Sequence, residues 1–131
     1  MSADLEPQTR KVALLAGYVL SALCTTQMLF SIAMKLLLPH GVPEHFVALG
    51  WRPSDVSRLA LLELGCTLVY LVPRTSILGA ILLTAYLGGA TATHARIGDG
   101  VFAYPVCLGV AFWLGLWLRN ARLRAIIVAA R

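Results

Sequence analysis

Between Val12 and Leu118 the sequence alternates four long apolar runs with breaks, of which residues 36–55 are the longest, and no other feature narrows the accessible folds as much. The runs cover approximately residues 12–35, 56–72, 76–95 and 101–118. A helix that crosses a bilayer needs about 20 mostly apolar residues, with roughly 17–25 as the working range. The apolar core of a signal peptide is shorter, about 7–15 residues, so the first run is read as a span. The breaks contain helix stops: Pro39, Gly41 and Pro43, then Pro73-Arg74-Thr75-Ser76, then Gly98-Asp99-Gly100. Composition agrees. Hydrophobic residues make up 59% of the 131 residues and charged residues 13%, against about 25% charged in soluble domains. The expected fold class is all-α: a polytopic membrane protein, one domain over residues 1–131, built as an antiparallel four-transmembrane-helix bundle. The turn at 73–76 is too short for anything except antiparallel neighbours.

Outside the runs the expectations are local. Residues 1–11 read as loose or interfacial. Residues 43–49, PEHFVAL, form a short helix with Pro43 in its first turn and Gly50 at its end. Phe46, Leu49 and Trp51 dip into the membrane interface. Ser54 is the expected N-cap of the second span, and Thr75 or Ser76 that of the third. The third span carries Gly79, Ala80, Gly88, Gly89, Ala90 and Ala92, small residues that let membrane helices approach closely and allow a homodimer. After Arg119 a basic tail encloses an apolar interval, 126–130, expected on the membrane surface.

The net charge of +5 raises the question of nucleic acid. The basic residues flank the apolar runs and do not interleave with aromatics, which argues for a lipid bilayer and against nucleic acid. Four spans place both termini on one side. That side holds Arg10, Lys11, Arg74, Arg119, Arg122, Arg124 and Arg131, and the other holds Lys35, Arg52, Arg58 and Arg96. The excess puts both termini in the cytoplasm.

Within the apolar runs stands one carboxylate, Glu63. An ionisable group at mid-span costs roughly 2.5–3.5 kcal/mol on insertion scales and marks function by default. The first span carries a polar stripe, Ser21, Cys24, Gln27, Ser31 and Lys35, at spacings of three and four, hence on one helix face. The fold then delivers Gln27, Ser31, Lys35, Glu63, Thr91, His94 and Arg96 into the outer half of one bundle. Glu63 and His94 are the candidate proton-handling pair. Lys35, Gln27, Ser31, Thr91 and Arg96 are the candidate ligand contacts. A structural reading stands beside this one: Glu63 pairs with Lys35, or accepts from Gln27 and Ser31, and fixes helix register. Cys24, Cys66 and Cys107 lie in apolar runs without C-x-x-C spacing, so neither a disulfide framework nor a metal site is expected. No P-loop, dinucleotide fingerprint or nucleophile triad is present.

The run PRTSILGAILLTAYLGGATATHAR, with LELGCTLVYLV before it and LWLRNARLRA near the end, resembles the DoxX-like family of small four-helix bacterial membrane proteins. The resemblance spans nearly the whole chain, is strongest over residues 59–96, and matches at Lys35, Glu63, Arg74, Thr75, His94 and Arg96. It implies a four-helix bundle in the bacterial inner (plasma) membrane. It also implies association with membrane redox complexes, since some relatives are linked to thiosulfate:quinone oxidoreduction.

The leading expectation is a membrane protein that binds a small lipophilic ligand, with a quinone as the candidate cofactor, as a redox-linked accessory subunit beside a membrane redox partner protein. Two alternatives remain open at this point. One is a cofactor-free membrane enzyme, an isomerase or hydrolase using Glu63 and His94 as acid and base. The other is a small proton-coupled transporter.

Overall fold

A computed structural model describes residues 2–130, with side chains from residue 7 onward, and every regular element among them is a helix. The elements are α1 (Ser2–Leu37), α2 (Val42–Ala48), α3 (Pro53–Leu71), α4 (Ser76–Ile97), α5 (Ala103–Arg119) and α6 (Ala121–Ala129). Residues 2–11, expected to be loose or interfacial, are helical: α1 runs through Pro7 for 36 residues, about 54 Å at the α-helical rise. Pro7 falls near the start of the helix, and no further proline occurs before Pro39.

The four long helices pack in the cyclic order α1–α3–α4–α5. Cross-contacts fix their directions. Ser21 meets Tyr70 while Lys35 meets Glu63, so α1 and α3 are antiparallel. Tyr70 abuts Gly79 while Glu63 meets Tyr86, so α3 and α4 are antiparallel too. Among the described residues two helices, Pro7–Leu37 within α1 and Ser76–Ile97, are long and apolar enough to cross a membrane. α5 is a shorter apolar helix of 17 residues. α3 spans 19 residues but carries Asp55, Arg58 and Glu63.

Caps differ in part from the sequence expectation. α3 starts at Pro53, with Arg52 and not Ser54 at its N-cap, because proline's fixed φ suits the first turn. Arg52 and Arg58 instead pair with Asp55 across that turn, at 2.9 and 3.1 Å. Thr75 sits at the N-cap of α4 without capping it. Its hydroxyl donates to the Val69 carbonyl at 2.8 Å and closes the α3–α4 turn. α2 forms as expected, with Pro43 in its first turn and Gly50 following at φ 86°.

The core joins Cys24, Met28, Cys66, Tyr70, Leu83, Phe112 and Leu116. Tyr70 is fully buried, edge-on to Phe112, and its hydroxyl lies 2.9 Å from Ser21 Oγ and 3.2 Å from the Phe112 carbonyl. Arg119 donates to Ser21 Oγ at 3.0 Å and lies 5.1 Å from the Tyr70 ring centroid. This polar knot ties α1, α3 and α5 at the end opposite α2. Much of the remaining surface is apolar: Leu15, Leu23, Phe30, Leu61, Leu68, Ile81 and Val110 all stand exposed. Exposed hydrocarbon on this scale marks a surface made for contact with lipid or another protein.

Asn120 turns the chain into α6. Its Oδ1 accepts from Leu123 N at 3.1 Å, and the Leu123 side chain is buried against the bundle. Removing such a cap costs about 0.5–2 kcal/mol. Asn120→Ala is therefore expected to raise backbone amide exchange several-fold in residues 121–129 and to leave α1–α5 unchanged. Equal exchange in both proteins would show that the cap does not hold α6.

Candidate functional site

Glu63 is 1% exposed and Lys35 8%, so both ionic groups lie inside the bundle. The α1–α3 pairing creates the contact. Lys35 stands one turn beyond Ser31, and its long stem folds back along α1 toward the helix N-terminus, the usual direction of helical side chains. Its Nζ donates to Ser31 Oγ and to Glu63 Oε2, each at 2.5 Å. From α4, Tyr86 OH donates to the same Oε2 at 3.0 Å. The rings of Phe46 on α2 and Tyr86 lie 5.9 and 5.8 Å from the ammonium, within cation–π range.

The inventory of these groups leaves room for a ligand. An ammonium has three donors, and two are used. Both bonds to the Glu63 carboxylate fall on Oε2, and among the described residues no donor reaches Oε1. A cavity of about 800 Å³ adjoins the pair. Gln27, Ser31, Lys35, Glu63, Tyr86, Thr93, His94 and Tyr104 supply its polar wall, and Met28, Phe46, Leu49, Trp51 and Leu108 are among its apolar lining. α2 contributes Val42, His45 and Phe46 at one end. Phe30 and Leu62 line the cavity and are also more than half exposed, so it opens toward the outer surface of the bundle.

The sequence-derived residues separate into groups. Gln27, Ser31, Lys35, Glu63 and His94 border the one cavity. Thr91 lies on a different, almost wholly apolar groove between α4 and α5, and its hydroxyl is returned to the Leu87 carbonyl. Arg96 reaches the Leu49 carbonyl at 2.7 Å and clasps the end of α2 to α4. His94 Nδ1 is 2.5 Å from Asp99 Oδ2, and among the described residues no hydrogen bond joins His94 to Glu63. Asp99 lies in the turn after α4. The His94 hydrogen bond, helped by the Val101 N–H, holds its carboxyl below the usual carboxylate range.

Tyr86, Thr93, Tyr104, Phe46 and Asp99 belong to the site or its rim without having been expected there from the sequence. A signal for Tyr86 existed, since 86, 90 and 94 follow one another at i+4 and share a helix face. Nothing local marked Asp99, because the contact depends on the left-handed Gly98 turn, φ 69°, folding back on α4. No three His, Cys, Asp or Glu side chains cluster as a metal site among the described residues.

Helices long and apolar enough to cross a bilayer, with hydrocarbon over the exterior of the bundle, are the features of a membrane protein. The model of the DoxX-like family matches residues 19–115, and the chain belongs to that family. Comparison with curated proteins returned no significant match. Comparison with solved structures returned none either.

Proposed function

We propose that the chain spans the membrane four times and binds a small, lipid-soluble carbonyl or hydroxyl compound beside the Lys35–Glu63–Tyr86 cluster, a quinone being the ligand that fits best. The observation that carries this reading is the combination of a roomy cavity with an unused ammonium donor and an unused carboxylate oxygen at its polar wall. A quinone carbonyl accepts from Lys35, and the hydroxyl of the quinol donates to Glu63. The apolar tail leaves past Phe30 or Leu62 into hydrocarbon. Reduction of a quinone takes up two electrons and two protons. The electrons come from a membrane redox partner, which makes this chain an accessory subunit, and both protons come from solvent, Glu63 passing them on one at a time.

The excess of Lys and Arg at the α3–α4 turn and at both chain ends supports cytoplasmic termini in the bacterial inner membrane. The α3 and α5 lengths, about 28 and 26 Å by helix rise, are close to the roughly 30 Å hydrocarbon thickness. The cavity then lies in the outer half. The packed core of Tyr70, Leu83, Phe112 and Leu116 counts against a through-going transport path.

The test uses purified protein in lipid nanodiscs titrated with ubiquinone-1, read by quenching of tryptophan fluorescence, since Trp51 lines the cavity. Glu63→Gln and Tyr86→Phe are each expected to weaken binding at least tenfold, about 1.4 kcal/mol, with helix content retained. Equal affinity in folded wild type and both variants ends the proposal.

A further inference from the structure

We propose that the His94–Asp99 pair is the proton port of the buried cluster, passing protons between solvent at the α2 end of the bundle and Glu63. The inference rests on the reading of that cluster as a working site, and it adds how protons reach it and from which face.

The geometry has three parts. First, the pair stands at the boundary between two environments. His94 lines the cavity, and its side chain is 16% exposed against 26% for Asp99. Second, the chemistry of the pair suits transfer. Asp99 accepts the Nδ1 proton of His94 at 2.5 Å and accepts from Val101 N at 3.0 Å, which holds it ionised and oriented. Nε2 is then the nitrogen left to exchange. At the mouth of the cavity a hydronium gives its proton to Nε2 and leaves as water, the Asp99 charge balances the imidazolium, and the Nε2 proton then passes to the next water inward, which restores the neutral Nδ1–H ring. Third, the remaining distance is bridgeable. Tyr86 and His94 are eight residues apart on one face of α4, about 12 Å along the axis. About three waters at ordinary hydrogen-bond spacing cover that length, and the cavity has room for them.

The opposite approach is closed. Below Glu63 the interior is filled by Met28, Cys66, Tyr70, Leu83 and Phe112, and a Cβ on Gly79 would fall 2.2 Å from the Tyr70 backbone, so α3 and α4 leave no gap there. The other charged or titratable groups around the port are His45 from α2, which acts on Asp99 through space, Arg96 on α4, engaged by the Leu49 carbonyl, Tyr104 from α5, and Lys35 and Glu63 across the cavity. None of them bonds Nδ1 of His94 among the described residues.

The experiment follows hydrogen–deuterium exchange at the Glu63–Lys35 pair by time-resolved infrared spectroscopy after a rapid D2O jump, without added ligand. It uses full-length protein in nanodiscs. Asp99→Asn and His94→Ala are each expected to slow exchange at least tenfold with unchanged helix content, and imidazole in the buffer is expected to restore the rate in His94→Ala. A merely structural role for His94 gives no imidazole rescue, and that result overturns the proposal. So does exchange at the wild-type rate in both variants. Asp99→Asn keeps an acceptor for Nδ1–H and serves as the folded control should His94→Ala disturb the turn. Ubiquinone-1 affinity is measured on the same samples. Slow exchange in the port variants with no quinone binding in any protein leaves the port standing and removes the ligand reading. Quinone binding with wild-type exchange does the reverse.

Discussion

Lys35→Met, made alone, is expected to cost about 3–5 kcal/mol of stability, because it strands Glu63 as an uncompensated buried charge. Glu63 is almost wholly inaccessible, and among the described residues Lys35 is its one ionic partner. The double variant Lys35→Met/Glu63→Leu is expected to recover most of that loss, since two apolar side chains of similar volume need no desolvation. Unfolding of the reconstituted protein in a denaturant or steric-trap assay reads both. Recovery in the double variant, together with loss of the proposed quinone binding, separates what the pair does for stability from what it does in the proposed site. A single variant as stable as wild type would show that the pair is hydrated, and the proposed chemistry of the cavity would lose its basis.

The second large effect falls at a glycine. Gly79→Ala is expected to destabilise by at least about 3 kcal/mol, the upper end of ordinary overpacking costs. The added methyl would lie 2.2 Å from the Tyr70 backbone, where no side chain can rotate away and the helices themselves must part. Tyr70 is also the residue that Ser21 and the Phe112 carbonyl hold from α1 and α5, so the displacement propagates. Gly88→Ala is the matched control. Nothing lies within 4 Å of its Cβ position, and alanine is the better helix former by about 1 kcal/mol. The control is expected to be neutral or slightly stabilising in the same assay. Equal effects at both positions would mean that the α3–α4 contact is looser than the structure describes.

These two glycines show where sequence reading ends. Both belong to the run of small residues on α4, and spacing alone treats them alike. The buried face of α4 is Ser76, Gly79, Ala80, Leu83 and Leu87, whereas Gly88 and Thr91 border an apolar groove beside α5. In an apolar solvent both faces of a helix are hydrophobic, so the amphipathic signal that sorts core from surface in water is lost. The all-helical architecture was legible because proline, glycine and polar breaks punctuate long apolar runs. The early start of α1 was not, because polar residues 2–11 are compatible with helix or coil until a long helix propagates through them.

What the amino-acid sequence determined by itself is the class of molecule and the identity of its anomaly. Charge depletion and apolar run length select a membrane protein, and one acid among hydrocarbons picks out Glu63. What only the tertiary structure decided is the company that acid keeps. Lys35 and Tyr86 reach it from helices 28 and 23 positions away in sequence, while His94 turns to Asp99, Arg96 to the α2 end and Thr91 to its own backbone. Helical periodicity reports which residues share a face. It carries no information on the rotation of one helix against the next, and that rotation sets every contact in the site.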